Sequence, residues 1–178
     1  MSESFEQLLA GGHPNSLGRT LEVVALVLAD KRRLEPLYRC YFSADEVVRL
    51  RTSNALKRVS REQPQWLVPY IDKLIGEVGN IEQASAQWTL ANLLQTLTPF
   101  MDTAQKTGAL KLMQRNLAQH SDWIVLNNTM QTLAAWAIED EALRQWLLPH
   151  LERLSGDSRK SVAKKAVKFA AALAKSAP

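Results

Sequence analysis

Three groups of side chains in this sequence are of types, and at spacings, that do chemistry. The first is Trp88 with Asn92, inside IEQASAQWTLANLLQTL over residues 81–97. Four residues apart on a helix, they stand one above the other. Ala86, Leu90, Leu93, Leu94 and Leu97 form the apolar stripe of that helix, on the opposite side. A tryptophan off the stripe is not explained by its own helix's packing, and a Trp in a recess is a common anchor for a partner. The second group is basic. Arg49, Arg51, Arg58 and Arg61 form one block, and Lys160, Lys164 and Lys168, four apart with Arg159 and Lys165 beside them, form another. Arg51, Arg61, Lys160, Lys164 and Lys168 are candidates for phosphate contacts; the plainer reading is solvated helix faces. The third group would serve catalysis, and it does not assemble. His13, His120 and His150 are scattered, none at metal-ligand spacing from another His or Cys. There is no glycine-rich phosphate loop. Cys40, in LYRCYF, reads as a small core residue. The expectation is therefore no catalytic residue, no metal and no cofactor.

The balance of charge adds to the basic groups. The chain has 178 residues, 46% hydrophobic, and a net charge of +4. Residues 1–30 carry a net −3, 31–61 a net +6, 62–156 a net −4 and 157–178 a net +5. Two positive blocks are thus separated by an acidic middle, which would suit an anionic partner touching both. The start, MSESFEQLLAGG, does not read as a signal peptide, and the apolar run over 23–29 is too short for a bilayer. With one cysteine, no internal disulfide can form; a reducing, cytoplasmic setting without a membrane partner is expected.

The elements that must position these residues all read as helices. A short helix over 4–10 ends at Gly11-Gly12, and His13-Pro14-Asn15 makes a turn. A helix over 16–29 follows, with Leu21, Val24, Ala25 and Leu28 as its buried face. Further helices are expected over 34–41, over 45–60 with Asp45 as N-cap, and over 65–77, closed by Gly79. After 81–97 and the break at Thr98-Pro99 come 104–118, 122–137, 141–154 and 158–174. No stretch alternates with period two, so no sheet is expected.

The helices repeat in pairs. WLVPYIDKLI at 66–75 matches WLLPHLERLS at 146–155, eighty residues on, or two units of about forty. The second helices align as well: Leu56, Leu94, Leu133 and Val167 are equivalent, as are Val59, Leu97, Trp136 and Ala170, and Thr52, Leu90, Thr129 and Ala163. Pro69 and Pro149 should then occupy equivalent places in the first helices of their hairpins, in or near first turns or causing a matching kink. VVRLRTSNALKRV at 47–59 resembles the second helix of a HEAT repeat, and EQASAQWTLAN at 82–92 resembles an armadillo repeat, a close relative. The resemblance spans about residues 30–175. It implies an all-α, right-handed curved solenoid of about four hairpins, over 30–62, 63–98, 99–138 and 139–176, preceded by an arm at 1–15 and a capping helix at 16–29, all in one domain. It implies a structural role for Arg49, and that Trp88 and Asn92 correspond to the Trp-Asn pair lining the armadillo inner surface; Trp123 and Asn127 share that spacing one turn earlier in their helix.

In such solenoids the second helices line the concave side. The aligned rows there read Leu50, Trp88, Asn127, Ser161; then Asn54, Asn92, Gln131, Lys165; then Lys57, Gln95, Ala134, Lys168. Amides offer donors and acceptors to an extended backbone. Asn54, Lys57, Trp88, Asn92, Gln95, Asn127, Gln131 and Lys165 are the expected partner-binding residues. The expected function is a non-catalytic binding or scaffold module holding a protein or peptide. The alternative is a nucleic-acid binder akin to the HEAT-like glycosylases that act on alkylated DNA, although the rows above contain no carboxylate.

Overall fold

The structure, a computed structural model, describes residues 3–175. Residues 1 and 2 of the expected arm, and residue 176 of the last hairpin, lie outside the described residues. Every regular element among the described residues is helical, and the chain divides into two compact units, Met1–Met101 and Asp102–Pro178.

In the first unit, α1 (Phe5–Leu9) opens with a capping box, Ser4 Oγ accepting from the Gln7 backbone and Gln7 returning to Ser4 N. Next come α2 (Thr20–Ala29), α3 (Leu34–Arg39) and α4 (Glu46–Glu62). Asp45 caps α4 by accepting from Val47 N at 2.8 Å. A 3-10 stretch, Pro64–Tyr70, runs into α5 (Ile71–Gly76), and α6 (Ala84–Leu97) completes the unit. α4 is its axis, packed against α1, α2 and α3 as well as α6. It therefore buries Val48, Ala55, Leu56 and Val59 but also Thr52, Ser53 and Ser60, whose small side chains let neighbours approach closely. Thr52 satisfies its hydroxyl on the Val48 carbonyl and Ser53 on the Tyr41 hydroxyl.

Two details differ from the sequence reading. α2 starts at Thr20, not 16, and buries Thr20, Val23, Val24 and Val27, while Leu21 is 53% exposed. The run TLEVVALVLA is apolar almost all round, so periodicity does not choose its face. Gly18, at φ 50°, keeps the preceding residues in a turn. The expected single helix over 65–77 is instead 3-10 as far as Tyr70, because Pro64 and Pro69 remove amide donors.

In the second unit, α7 (Thr103–Gln119), α8 (Trp123–Trp136), α9 (Glu141–Ser155) and α10 (Lys160–Lys175) pack as two antiparallel pairs. Asp102, Asp122 and Asp140 cap the first three of these helices. α10 buries Val162, Ala166 and Leu173; Val167 is 57% exposed. The expected alignment of Ala163, Val167 and Ala170 with the other stripes is thus one residue out. An alanine-rich helix offers apolar side chains at adjacent positions, and the correct register is the one that leaves its lysines outside.

The eighty-residue repeat is visible in burial. Leu67, Ile71 and Leu74 are buried, as are Leu147, Leu151 and Leu154. Trp66 and Trp146 are half-buried, and Pro69 and Pro149 both face solvent. The prolines are not in first turns, however. Pro69 lies late in its 3-10 stretch and Pro149 is well inside α9. On an exposed face, water can take up the carbonyl that each proline leaves without a donor.

Candidate functional site

Arg51 determines the shape of one wall of the site. It lies on α4 and is 2% exposed. Its Nη1 donates to the carbonyl oxygens of Leu9 (2.7 Å), Gly11 (2.6 Å) and Ala10 (3.3 Å). Nε donates to Ser16 O and Nη2 to His13 O. A buried cation surrounded by carbonyl dipoles, at the C-terminal end of α1, is stabilised without a carboxylate. Its donors are committed to the loop, so Arg51 is not available to a phosphate; that candidate is withdrawn. Gly18 accommodates it: a Cβ there would stand 2.8 Å from Arg51 Cζ, and φ is already positive.

The loop so fixed presents Pro14 to a pocket of about 230 Å³. Glu46, Val47 and Leu50 of α4 form a second wall, and Gln83, Ala84, Ser85 and Trp88 form the third. Arg49 and Gln83 tie the two helix starts together. Arg49 Nε donates to Gln83 Oε1 at 2.6 Å and Nη1 to Ser43 O, while Gln83 Nε2 donates to Glu46 O and Ser85 Oγ. The first turns of α4 and α6 thus lie side by side, and the two helices run the same way.

Beyond the pocket, Leu50, Asn54, Lys57 and Arg61 follow one stripe of α4 at i, i+4, i+7 and i+11. Trp88, Asn92 and Gln95 occupy the equivalent stripe of α6, thirty-eight residues on. All seven are half-buried except Arg61, which is exposed. Asn54 Oδ1 accepts from Arg58 Nε at 2.8 Å, which leaves its NH₂ as the other end of the amide. Asn92 Nδ2 donates to Trp88 O at 2.9 Å, which leaves its side-chain oxygen as the other end of the amide. Burial first, and then the guanidinium groups of Arg61 and Arg58, hold the Lys57 ammonium below the ordinary lysine range.

The second unit treats its candidates unequally. Asn127 is 5% exposed and donates to Ser161 Oγ, which removes it from the surface set. Its helix is one of the most apolar, and an asparagine there is buried by its neighbours rather than placed by its own stripe. Gln131 is exposed and Lys165 half-buried; burial, then Lys168, lowers the Lys165 pKa. Lys160, Lys164 and Lys168 are exposed along one side of α10. Arg159 is paired with Asp157 at 2.7 Å, which drops the Asp157 carboxyl to about 2.

The cysteine and the histidines are each engaged locally, His13 Nδ1 accepting from Asn15 N. Cys40 is buried, and burial pushes its thiol up to about 11. His120 Nδ1 accepts from Asp122 N, and His150 lies against Trp146 with ring centroids 4.1 Å apart. Among the described residues no group of three or more His, Cys, Asp or Glu side chains is placed to hold a metal. None of the described helices is long and apolar enough to cross a membrane.

Sequence reasoning missed Pro14, Glu46, Gln83 and Ser85, which line the pocket from outside the aligned rows. It also missed an aromatic cluster: Tyr38 and Tyr70 donate to Glu77 and Glu35, and Lys73 lies over both rings at 5.6 and 5.4 Å. A family model described as a HEAT repeat domain matches residues 13–106, more than half of the chain. No curated protein and no solved structure matches it.

Proposed function

The chain belongs to the HEAT repeat domain family, and on that premise we propose that it is a non-catalytic binding module that holds an extended peptide segment of a protein partner along the α4–α6 stripe. Repeats of this kind are commonly protein-interaction scaffolds. One observation carries the reading: a pocket against Trp88 opens onto a stripe of half-buried amides on two co-directional helices. A recessed aromatic ring takes an apolar side chain, and Asn54 and Asn92 offer a donor and an acceptor to a backbone passing over them. Asn54, Lys57, Trp88, Asn92 and Gln95 are the proposed contacts, all in the first unit; Gln131 and Lys165 are proposed separately, as contacts of the second unit by itself. The single buried thiol of Cys40 supports a reducing, cytoplasmic setting.

Replacing Trp88 tests this. Trp88→Ala should weaken binding of an isolated partner by about 2 kcal/mol in titration calorimetry. It should lower Tm less than Leu90→Ala, which empties a fully buried site in the same helix. Unchanged partner affinity together with a large loss of Tm would make Trp88 a packing residue and remove the anchor.

A further inference from the structure

We propose that the segment held in the α4–α6 groove is acidic on one side of its apolar anchor, placing Asp or Glu side chains three to five residues from the residue in the Trp88 pocket, against Lys57, Arg58 and Arg61. This rests on the groove reading above and names the chemistry of the partner.

The distal end of the stripe is a cluster of like charge. Lys57, Arg58 and Arg61 share barely more than one helical turn, and among the described residues none of them is in an ion pair. Arg58 is held only by the neutral Asn54 amide. Lys57 is half-buried, with its ammonium disfavoured by burial and by both guanidinium groups. Three cations are gathered within about one turn, and the one acidic residue beside them, Glu62 at the end of α4, forms no ion pair with any of them, whereas Arg19, Arg32, Arg39 and Lys73 each have a carboxylate. An anion arriving there relieves the repulsion, so binding it gains more than a lone surface pair would. At the pocket end the charged lining residue is Glu46, while the Arg49 guanidinium beside it is engaged by Gln83 and Ser43, so a carboxylate near the anchor meets a like charge in the pocket wall. The groove is therefore polar along its length.

Distance sets the spacing. Lys57 lies seven residues beyond Leu50 on α4, about 10 Å along the axis, and Arg61 eleven residues beyond, about 16 Å. An extended peptide advances about 3.3 Å per residue, so these cations are met about three and five residues from the anchor.

The test is selection of a random peptide library displayed on phage against the full chain, followed by affinity measurement on the enriched peptides. The expected result is an apolar residue with Asp or Glu enriched three to five positions away on one side only. Lys57→Glu combined with Arg61→Glu should weaken those peptides at least about tenfold, with the helical circular dichroism unchanged. Trp88-dependent peptides without acidic enrichment, or indifferent to the charge reversal, would overturn this inference and leave the groove reading standing. No enriched peptide, or binding indifferent to Trp88→Ala, would overturn both. Selection of no peptide together with binding of a single-stranded oligonucleotide that the same charge reversal abolishes would assign the cations to phosphates instead.

Discussion

Arg51 shows what a single side chain can hold. Its five acceptors are all backbone carbonyls, so no other side chain reproduces the fork that reaches them. Arg51→Lys should lower stability by about 2 to 3 kcal/mol in urea unfolding, since one ammonium leaves several buried carbonyls without donors. Gly18→Ala should cost about 2 kcal/mol through its positive φ and the guanidinium it would strike. A loss below 0.5 kcal/mol for either would mean that the loop is not held as described. Glu35 gives a pH-dependent companion. The hydrogen bond from Tyr70, then Arg39 and Lys73, lower its carboxyl below the ordinary value against the opposing effect of burial. Its contribution is complete above the unfolded pKa and disappears as pH falls through the lower folded one. The Tm gap between the wild type and Glu35→Gln should therefore be widest near neutrality and close in acid; a gap independent of pH would refute the assignment. Arg51 was not legible in the sequence because it sits amid other basic residues and its partners are peptide groups some forty positions away, which carry no side-chain signature. The place of Trp88 off the buried stripe was legible, because the leucines of its helix take up the other side.

At the scale of elements, the helices and most of their starts were legible. Apolar residues recur at the helical period, and aspartates stand at the starts of α4, α8 and α9. What failed was the choice of face in α2 and α10. Both carry apolar residues at adjacent positions, so neighbours rather than periodicity decide which are buried. The proline pair was readable as a repeat but not as backbone, since the first half of the ten-residue pattern is 3-10 in one copy and α-helical in the other. That difference predicts different responses. Pro149→Ala should raise Tm, restoring a hydrogen bond inside α9 and gaining about 1 kcal/mol or more. Pro69→Ala should change Tm little. Equal shifts would show that the two copies carry their prolines in the same way.

At the scale of the molecule, the first unit contains every residue of the pocket and of the cation cluster. Residues 1–101 expressed alone should therefore bind the selected acidic peptides within about threefold of the full chain, provided that circular dichroism shows them helical. A folded fragment that fails to bind would mean that residues from 102 onward contribute. The partition itself was not legible in the sequence, because Thr98-Pro99 looks like any other break between hairpins. Arg51 recognises the main chain, so outside the positive-φ Gly11 and Gly12 the segment between Leu9 and Ser16 is anchored without regard to its side chains. Only Gly18, and to a lesser degree Gly12, are constrained by the guanidinium. Pro14 is thus an exchangeable part: with the arginine and the positive-φ glycines Gly11, Gly12 and Gly18 kept, the other loop positions can be varied to give the same scaffold a different pocket wall, which makes this end of the chain a graftable cassette.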